Sequence, residues 1–218
     1  MSFLKISDDQ EKALLNGVVS GSYTLLLGAG ASHDSKNGFG NIPLADKLKE
    51  ELLDATRVSK SHNLQRVFSA LTEDEVERLI TKRLSDCSPG YTCKAISKFN
   101  WRRIFTFNVD DALENELSSS KRQSLKPIHF SDPFVDLQTN AELPLVYLHG
   151  TVKSPEKGYV FSRDQYLRMI KGENPWMVVL SGIVRNDPLI ISGSSMDEVD
   201  LEYYLSFRSK ATSREDVG

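Results

Sequence analysis

The sequence predicts an α/β domain built on a doubly wound parallel sheet, and three observations predict it. Short apolar runs recur along the chain at residues 23–27, 103–107, 145–148 and 188–192, and 125–130 reads as a further strand. Runs of this length, with little polar alternation, suit strands buried on both faces. Segments of helical spacing separate them, the alternation that places helices on both sides of a parallel sheet. Four of the runs end in small or polar clusters: Gly28-Ala29-Gly30-Ala31-Ser32, Asn108-Val109-Asp110-Asp111, His149-Gly150 and Gly193-Ser194-Ser195. In an open α/β sheet the ligand crevice lies beyond the carboxyl ends of the strands, so the four clusters are expected to meet in one pocket.

The elements follow in order. Ala13, Leu14 and Val18 space a helix over 8–19, which Gly21 ends. After the first strand, the glycines of the 28–32 turn admit positive φ and bring backbone N–H groups close to an anion, and a helix following them would add its dipole. A polar loop over 33–41 leads to Ile42-Pro43, and Pro43 suits the first turn of a helix running to about Leu53. Thr72 and Glu75 form a capping box ahead of Val76, Leu79, Ile80 and Leu84. The block 54–99 reads as a helical insertion without a strand. A short helix follows Asp111. Ser162 and Gln165 cap a helix to Ile170, and Asn174-Pro175 opens another to about Val184. Beyond the last strand, Val199, Leu201, Tyr204 and Leu205 space a helix over 197–210. One domain over 1–218 is expected, as the N-terminal part of a longer protein, because no further strand follows to close the sheet edge.

Composition narrows the function classes. The chain has 218 residues, 39% of them hydrophobic, enough for a packed core. A net charge of −3 argues against nucleic acid as the main partner. No apolar run reaches membrane-spanning length and the N-terminus lacks a signal-peptide core, so no membrane partner is expected. Two cysteines, Cys87 and Cys93, with no histidine adjacent in sequence, are too few for a structural zinc site. A reduced cytoplasmic protein with inert thiols and no metal is the expectation.

At the four strand-end clusters the sequence resembles the sirtuins, the silent information regulator family. Gly28-Ala29-Gly30-Ala31-Ser32 matches that family's opening Gly-Ala-Gly-x-Ser. Thr106-Phe107-Asn108-Val109-Asp110 matches its Thr-Gln-Asn-Ile-Asp, with Phe107 in place of glutamine. His149-Gly150 matches its His-Gly, and Gly193-Ser194-Ser195 its late Gly-Thr/Ser-Ser turn. All four occur in family order. The resemblance implies a Rossmann-like sheet and NAD as substrate. Protein-deacylating sirtuins carry two Cys-x-x-Cys pairs in a zinc module, whereas here Cys87 and Cys93 both precede Asn108. Their Gly-Ile-Pro is followed by Asp-Phe-Arg, whereas this chain reads Asn41-Ile42-Pro43-Leu44-Ala45-Asp46. The chain is more similar to the sirtuin-like effector domains of prokaryotic antiphage defence proteins. Those domains hydrolyse NAD to starve an infected cell, an abortive infection, and they work within longer proteins or beside a partner ATPase or sensor.

The expected roles follow from the chemistry. The backbone of Gly28, Ala29 and Gly30 and the Ser32 hydroxyl would grip the pyrophosphate. Asn108 can donate and accept at once, which suits fixing a water or the ribose diol beside C1′. Histidine side chains titrate near neutrality, which makes His149 the general-base candidate. By resemblance, Asp110 binds the nicotinamide carboxamide, and Gly193 and Ser194 hold the adenine-side ribose. Plainer alternatives stand beside these: Asn108 as N-cap of a helix over 110–117, and His149 as a hydrogen-bonded strand-end residue. His33, His62 and His129 are expected to be surface or local structural residues. Three functions compete. One is an NAD glycohydrolase effector working through self-association or a partner, another a non-catalytic NAD or ADP-ribose module, and the third a protein deacylase. Catalysis is favoured because a pure binder needs neither Asn108 nor His149.

Overall fold

The computed structural model describes residues 6–56, 63–135, 139–169 and 174–194. The chain runs α1 (Asp8–Val19), β1 (Thr24–Leu27), a one-turn 3-10 helix (Ala29–Ser32), a small hairpin β2 (Lys36–Asn37) and β3 (Gly40–Asn41), then α2 (Ala45–Ala55), α3 (Leu64–Ser69), α4 (Glu73–Leu84) and α5 (Tyr91–Ile96). It continues through β4 (Arg103–Thr106), α6 (Ala112–Ser120), β5 (Ser124–His129), β6 (Glu142–Tyr147), α7 (Arg163–Arg168), α8 (Pro175–Asn186) and β7 (Leu189–Ser192).

The five longer strands form one sheet in the order β5-β6-β4-β1-β7, and every pairing in it is parallel. This is the Rossmann-like α/β architecture that the apolar runs predict. Successive side chains of a strand point to opposite faces, so each strand feeds two cores. Leu25, Leu27, Ile104, Leu145 and Tyr147 pack with α2–α6 on one face. Leu26, Phe105, Val146 and Leu148 pack with Trp176, Leu180, Ile183 and Val184 of α8 on the other. β1 is the pivot: β4 lies on one side of it and β7 on the other. Parallel sheets with such a reversal open a crevice at their carboxyl ends.

Helix starts come from local chemistry, and three that the sequence marks are present. Thr72 and Glu75 make the reciprocal capping box of α4, Ser162 and Gln165 that of α7. Asn174 Oδ1 accepts from the N–H groups of Trp176 and Met177 at the start of α8, with Pro175 in its first turn. Some expectations shift. The 33–41 loop contains the β2–β3 hairpin, tied by Asn37 Nδ2 to the carbonyls of Arg83 and Ser85. Helix α2 begins at Ala45 after an N-cap at Leu44, two residues beyond Pro43. No α-helix follows the glycine turn, only the 3-10 turn and then the hairpin, so a long helix dipole does not act there. The helix expected to Ile170 is described as Arg163–Arg168, and Ile170 lies outside the described residues. The helix expected over 197–210 also lies outside them, as do Ser195 and His62.

The insertion between β1 and β4 is bound to the strand ends by polar and aromatic contacts. The Asp111 carboxylate, 2% exposed, accepts from the N–H groups of Asp86 and Cys87 at 3.1 and 2.9 Å. Asn115 Nδ2 donates to the Cys87 carbonyl. Phe68 of α3 stacks on Phe161, ring centroids 4.1 Å apart.

Candidate functional site at the carboxyl ends of the strands

The glycine turn and the end of β7 interlock. The N–H of Gly28 donates to the Ser192 carbonyl at 3.0 Å, and that of Gly30 to the Gly193 carbonyl at 2.7 Å. A Cβ on Gly28 would lie 2.8 Å from the Gly193 carbonyl oxygen, and one on Gly30 2.9 Å from it. Gly193 itself sits at φ +71° and faces the Ala31 nitrogen too closely for any side chain. These glycines therefore serve the close approach of two backbone turns. Gly28, at φ −105°, is not in the left-handed region that the sequence reading invoked. Two of the expected phosphate donors, the amides of Gly28 and Gly30, already donate within the protein.

A second group gathers beyond β4. The Asn108 side chain donates from Nδ2 to Ser32 Oγ at 3.0 Å. The Ser32 hydroxyl in turn bonds the carboxylate of Asp110, which also accepts from the Ala112 N–H at 3.1 Å. With its one proton directed at Asp110, Ser32 must accept from Asn108, and this fixes which end of the amide is Oδ1. Burial raises the Asp110 carboxyl to about 6, opposed in part by its hydrogen bonds to Ser32 and Ala112. Ser32, Asn108 and Asp110 line one small cavity together with Leu27, Thr106 and Tyr147. The sequence brought these three to one region, and the structure hydrogen-bonds them into one chain. Helix α6 starts at Ala112 behind an N-cap at Asp111, so Asn108 is not its N-cap.

His149 lies at the matching position on the next strand. Thr106 pairs with Tyr147 in register, and the Leu148 N–H donates to the Thr106 carbonyl. Asn108 and His149 therefore stand two residues beyond paired positions on adjacent parallel strands. The imidazole is 8% exposed and lies 5.0 Å from the rings of both Phe107 and Tyr166. Its Nε2 is 2.8 Å from the Tyr166 hydroxyl on α7. Gly150 follows at φ +90°, where a Cβ would meet the Gly158 carbonyl.

The remaining candidates have structural surroundings. His129 is buried, with Nε2 3.0 Å from the Gly158 carbonyl and Nδ1 2.7 Å from Ser131 Oγ, and burial lowers its pKa. His33 is exposed. Cys87 and Cys93 are buried; burial pushes the Cys87 thiol up strongly and that of Cys93 to about 11, so both stay protonated and unreactive. Sequence reasoning missed Tyr166 and Asp111, since neither stands in a motif that announces its partner. A larger groove of about 860 Å³ runs between α3–α4 and the 155–165 segment, and none of the sequence-predicted site residues lines it. Among the described residues, no helix is long and apolar enough to cross a membrane.

A family model for the SIR2-like domain matches residues 102–217, more than half of the chain. The chain belongs to that family, whose members are NAD-dependent enzymes. The matched segment contains Asn108, Asp110, His149, Gly193 and Ser194 and begins after the glycine turn. No curated protein matches the chain.

Proposed function

We propose that this protein is an NAD glycohydrolase, cleaving NAD to nicotinamide and ADP-ribose, and that it depletes NAD as an effector of antiphage defence. The observation that supports the reading is the hydrogen-bonded chain Asp110–Ser32–Asn108 beyond the end of β4, with His149 at the matching backbone position beyond the end of β6. Hydrolysis breaks the bond between ribose C1′ and the nicotinamide nitrogen. Nicotinamide leaves neutral, because the positive charge of its ring takes up the bonding pair, and C1′ develops oxocarbenium character. A water oxygen then bonds to C1′ and must lose a proton. Asn108, its amide held by Ser32, presents Oδ1 as the acceptor that holds the water or the ribose diol. His149 takes the proton. Because the Gly28 and Gly30 amides are engaged, the pyrophosphate is assigned chiefly to the Ala29 N–H, with Gly193 and Ser194 toward the adenine-side ribose.

The defence role and the need for a partner rest on the sequence resemblance. A sensor or ATPase partner, a longer parent chain or self-association would supply the trigger. The test of the reaction is nicotinamide release from NAD by the purified protein, with an acetylated peptide as the contrasting substrate. Release of nicotinamide without peptide turnover supports the reading. Nicotinamide release only when the peptide is deacylated would replace it with the deacylase reading, and NAD binding without cleavage would make the protein a nucleotide-binding module.

A further inference from the structure

We propose that His129 is a positioning residue for His149: its Nε2–H holds the Gly158 carbonyl against Gly150 and so fixes the segment that seats the His149 backbone. The inference rests on the reading of His149 as the base. The partners of His129 settle the direction of its hydrogen bonds. The Gly158 carbonyl, 3.0 Å from Nε2, can only accept, so Nε2 carries the proton. The Ser131 N–H can only donate, and it does so to Nδ1 at 3.2 Å, so Nδ1 carries none; Ser131 Oγ lies 2.7 Å from the same nitrogen. Both bonds require one and the same neutral tautomer. Burial lowers the pKa of the ring, which favours that neutral form.

The anchored segment returns to His149 directly. The Val160 N–H donates to the His149 carbonyl at 3.0 Å. The Gly158 oxygen lies so close to Gly150 that a Cβ there would stand 2.5 Å from it and 3.2 Å from His129 Nε2. His129, Gly158 and Gly150 thus meet at one point, a single residue beyond His149. A second tie joins the same segment to the end of β5: Lys157 Nζ donates to Asp132 Oδ1 at 2.6 Å, while Asp132 Oδ2 accepts the His129 N–H at 2.9 Å. That ion pair is partly exposed to water, where such pairs hold little. His129, by contrast, is 3% exposed and ends a strand whose register with β6 sets it opposite Tyr147. Its donor is therefore fixed by the sheet, and it is the firmer of the two ties. The segment it holds is in turn what the His149 carbonyl binds. A displacement of about 1 Å at a reacting group can cost on the order of a hundredfold in rate, so a tie that never touches substrate can still set turnover.

The experiment compares His129→Gln with His129→Asn, by kinetics and by nitrogen-15 spectroscopy of the histidine rings, with His149→Ala to assign the His149 signals. Both variants lose the ring. Glutamine is long enough to place an amide N–H where Nε2 stands, whereas asparagine reaches only the position of Nδ1. A defect common to both measures packing, and the difference between them measures the bond to Gly158. The wild-type spectrum is expected to show His129 protonated on Nε2 alone, with slowed exchange of that proton. In His129→Asn the kcat for nicotinamide release should fall about tenfold or more, with KM within about threefold, as expected for loss of aim rather than of binding. In His129→Gln kcat should stay within about threefold of wild type. The His149 ring signals should move in the asparagine variant and hold their place in the glutamine variant. A wild-type His129 carrying its proton on Nδ1 would overturn the proposal, as would equal turnover in the two variants. A glutamine variant that does not fold would show that the ring and not its bond is needed; an asparagine variant that does not fold beside a folded glutamine variant would assign the bond to stability. Either result overturns the positioning role. If the wild-type protein releases no nicotinamide, the glycohydrolase reading fails instead, and the His149 ring signals still decide whether His129 sets the place of that residue.

Discussion

Replacing Gly193 by alanine should damage the site, and the structure sets the size of the effect. Gly193 adopts φ +71°, a left-handed conformation that costs an L residue about 1–2 kcal/mol. The added Cβ would also collide with the Ala31 backbone nitrogen and lie 2.9 Å from the Gly28 carbonyl oxygen. Both contacts are with backbone, which cannot rotate away, and overpacking of that kind costs about 1–3 kcal/mol. Together they give a destabilisation of about 2–5 kcal/mol, and the strain falls on the turn that holds the Gly28 and Gly30 amides. Gly182, in the middle of α8, is the internal control, because a Cβ there meets nothing within 4 Å. Gly182→Ala should stabilise by about 0.5–1 kcal/mol through helix propensity. Urea unfolding of both variants measures the two signs, and calorimetric titration with NAD reports the site. If Gly193→Ala unfolded at the wild-type midpoint and bound NAD normally, the interlocked turns would not be what shapes the site.

Further predictions concern the charged and catalytic groups. His149→Ala should lower nicotinamide release by roughly two to four orders of magnitude, the usual worth of a placed base, while circular dichroism shows a folded protein; equal turnover would remove His149 from the mechanism. Asn108→Ala should cost about two orders of magnitude in turnover with little change in NAD affinity, and affinity lost by calorimetry would make it a binding residue instead. Asp110, raised from 3.8 to about 6 in the folded protein, binds its proton more tightly folded than unfolded. Its contribution to stability is therefore fully present below pH 4 and is lost as pH rises through 6, by about 3 kcal/mol in all. Asp110→Asn should remove that slope from the urea-unfolding profile between pH 4 and 7; an identical slope in wild type and variant would refute it. Asp111→Ala would leave the buried Cys87 amide without its acceptor, while that of the exposed Asp86 can turn to water, for about 1–3 kcal/mol of lost stability by thermal unfolding.

The fold was legible because its signals are local. Four of the five long strands are short runs of apolar residues feeding two cores, the edge strand β5 being partly polar and exposed, and α4, α7 and α8 each begin at a cap written into adjacent residues. The β2–β3 hairpin was not legible. Its strands are two residues each and polar, and what fixes them is distant: Asn37 bonds carbonyls more than forty positions away, and Lys36 bridges to Ser88. The glycine turn shows how a correct location can carry a wrong cause. Its sequence suggests positive φ and free amides, whereas the structure uses Gly28 and Gly30 to let a second turn approach.

The site divides along the same line. Asn108, Asp110 and His149 could be found because each follows directly on an apolar run, and the register of β4 with β6 brings Asn108 and His149 level. The bonds that hold them were not legible, because their partners come from elements far away in sequence. Ser32 reaches Asn108 from 76 positions earlier, and Tyr166 reaches His149 from α7. Asp111 looks like a duplicate of Asp110 in sequence, yet its carboxylate turns to the insertion while that of Asp110 turns to Ser32. Adjacent residues on a tight turn can point to opposite sides, so one aspartate joins the helical insertion to the strand end and the other closes the polar chain on Asn108. The same four-residue turn thereby couples the packing of the insertion to the aim of the amide. A substitution at Asp111 should then lower turnover as well as stability, through displacement of a turn whose reacting residues it never touches.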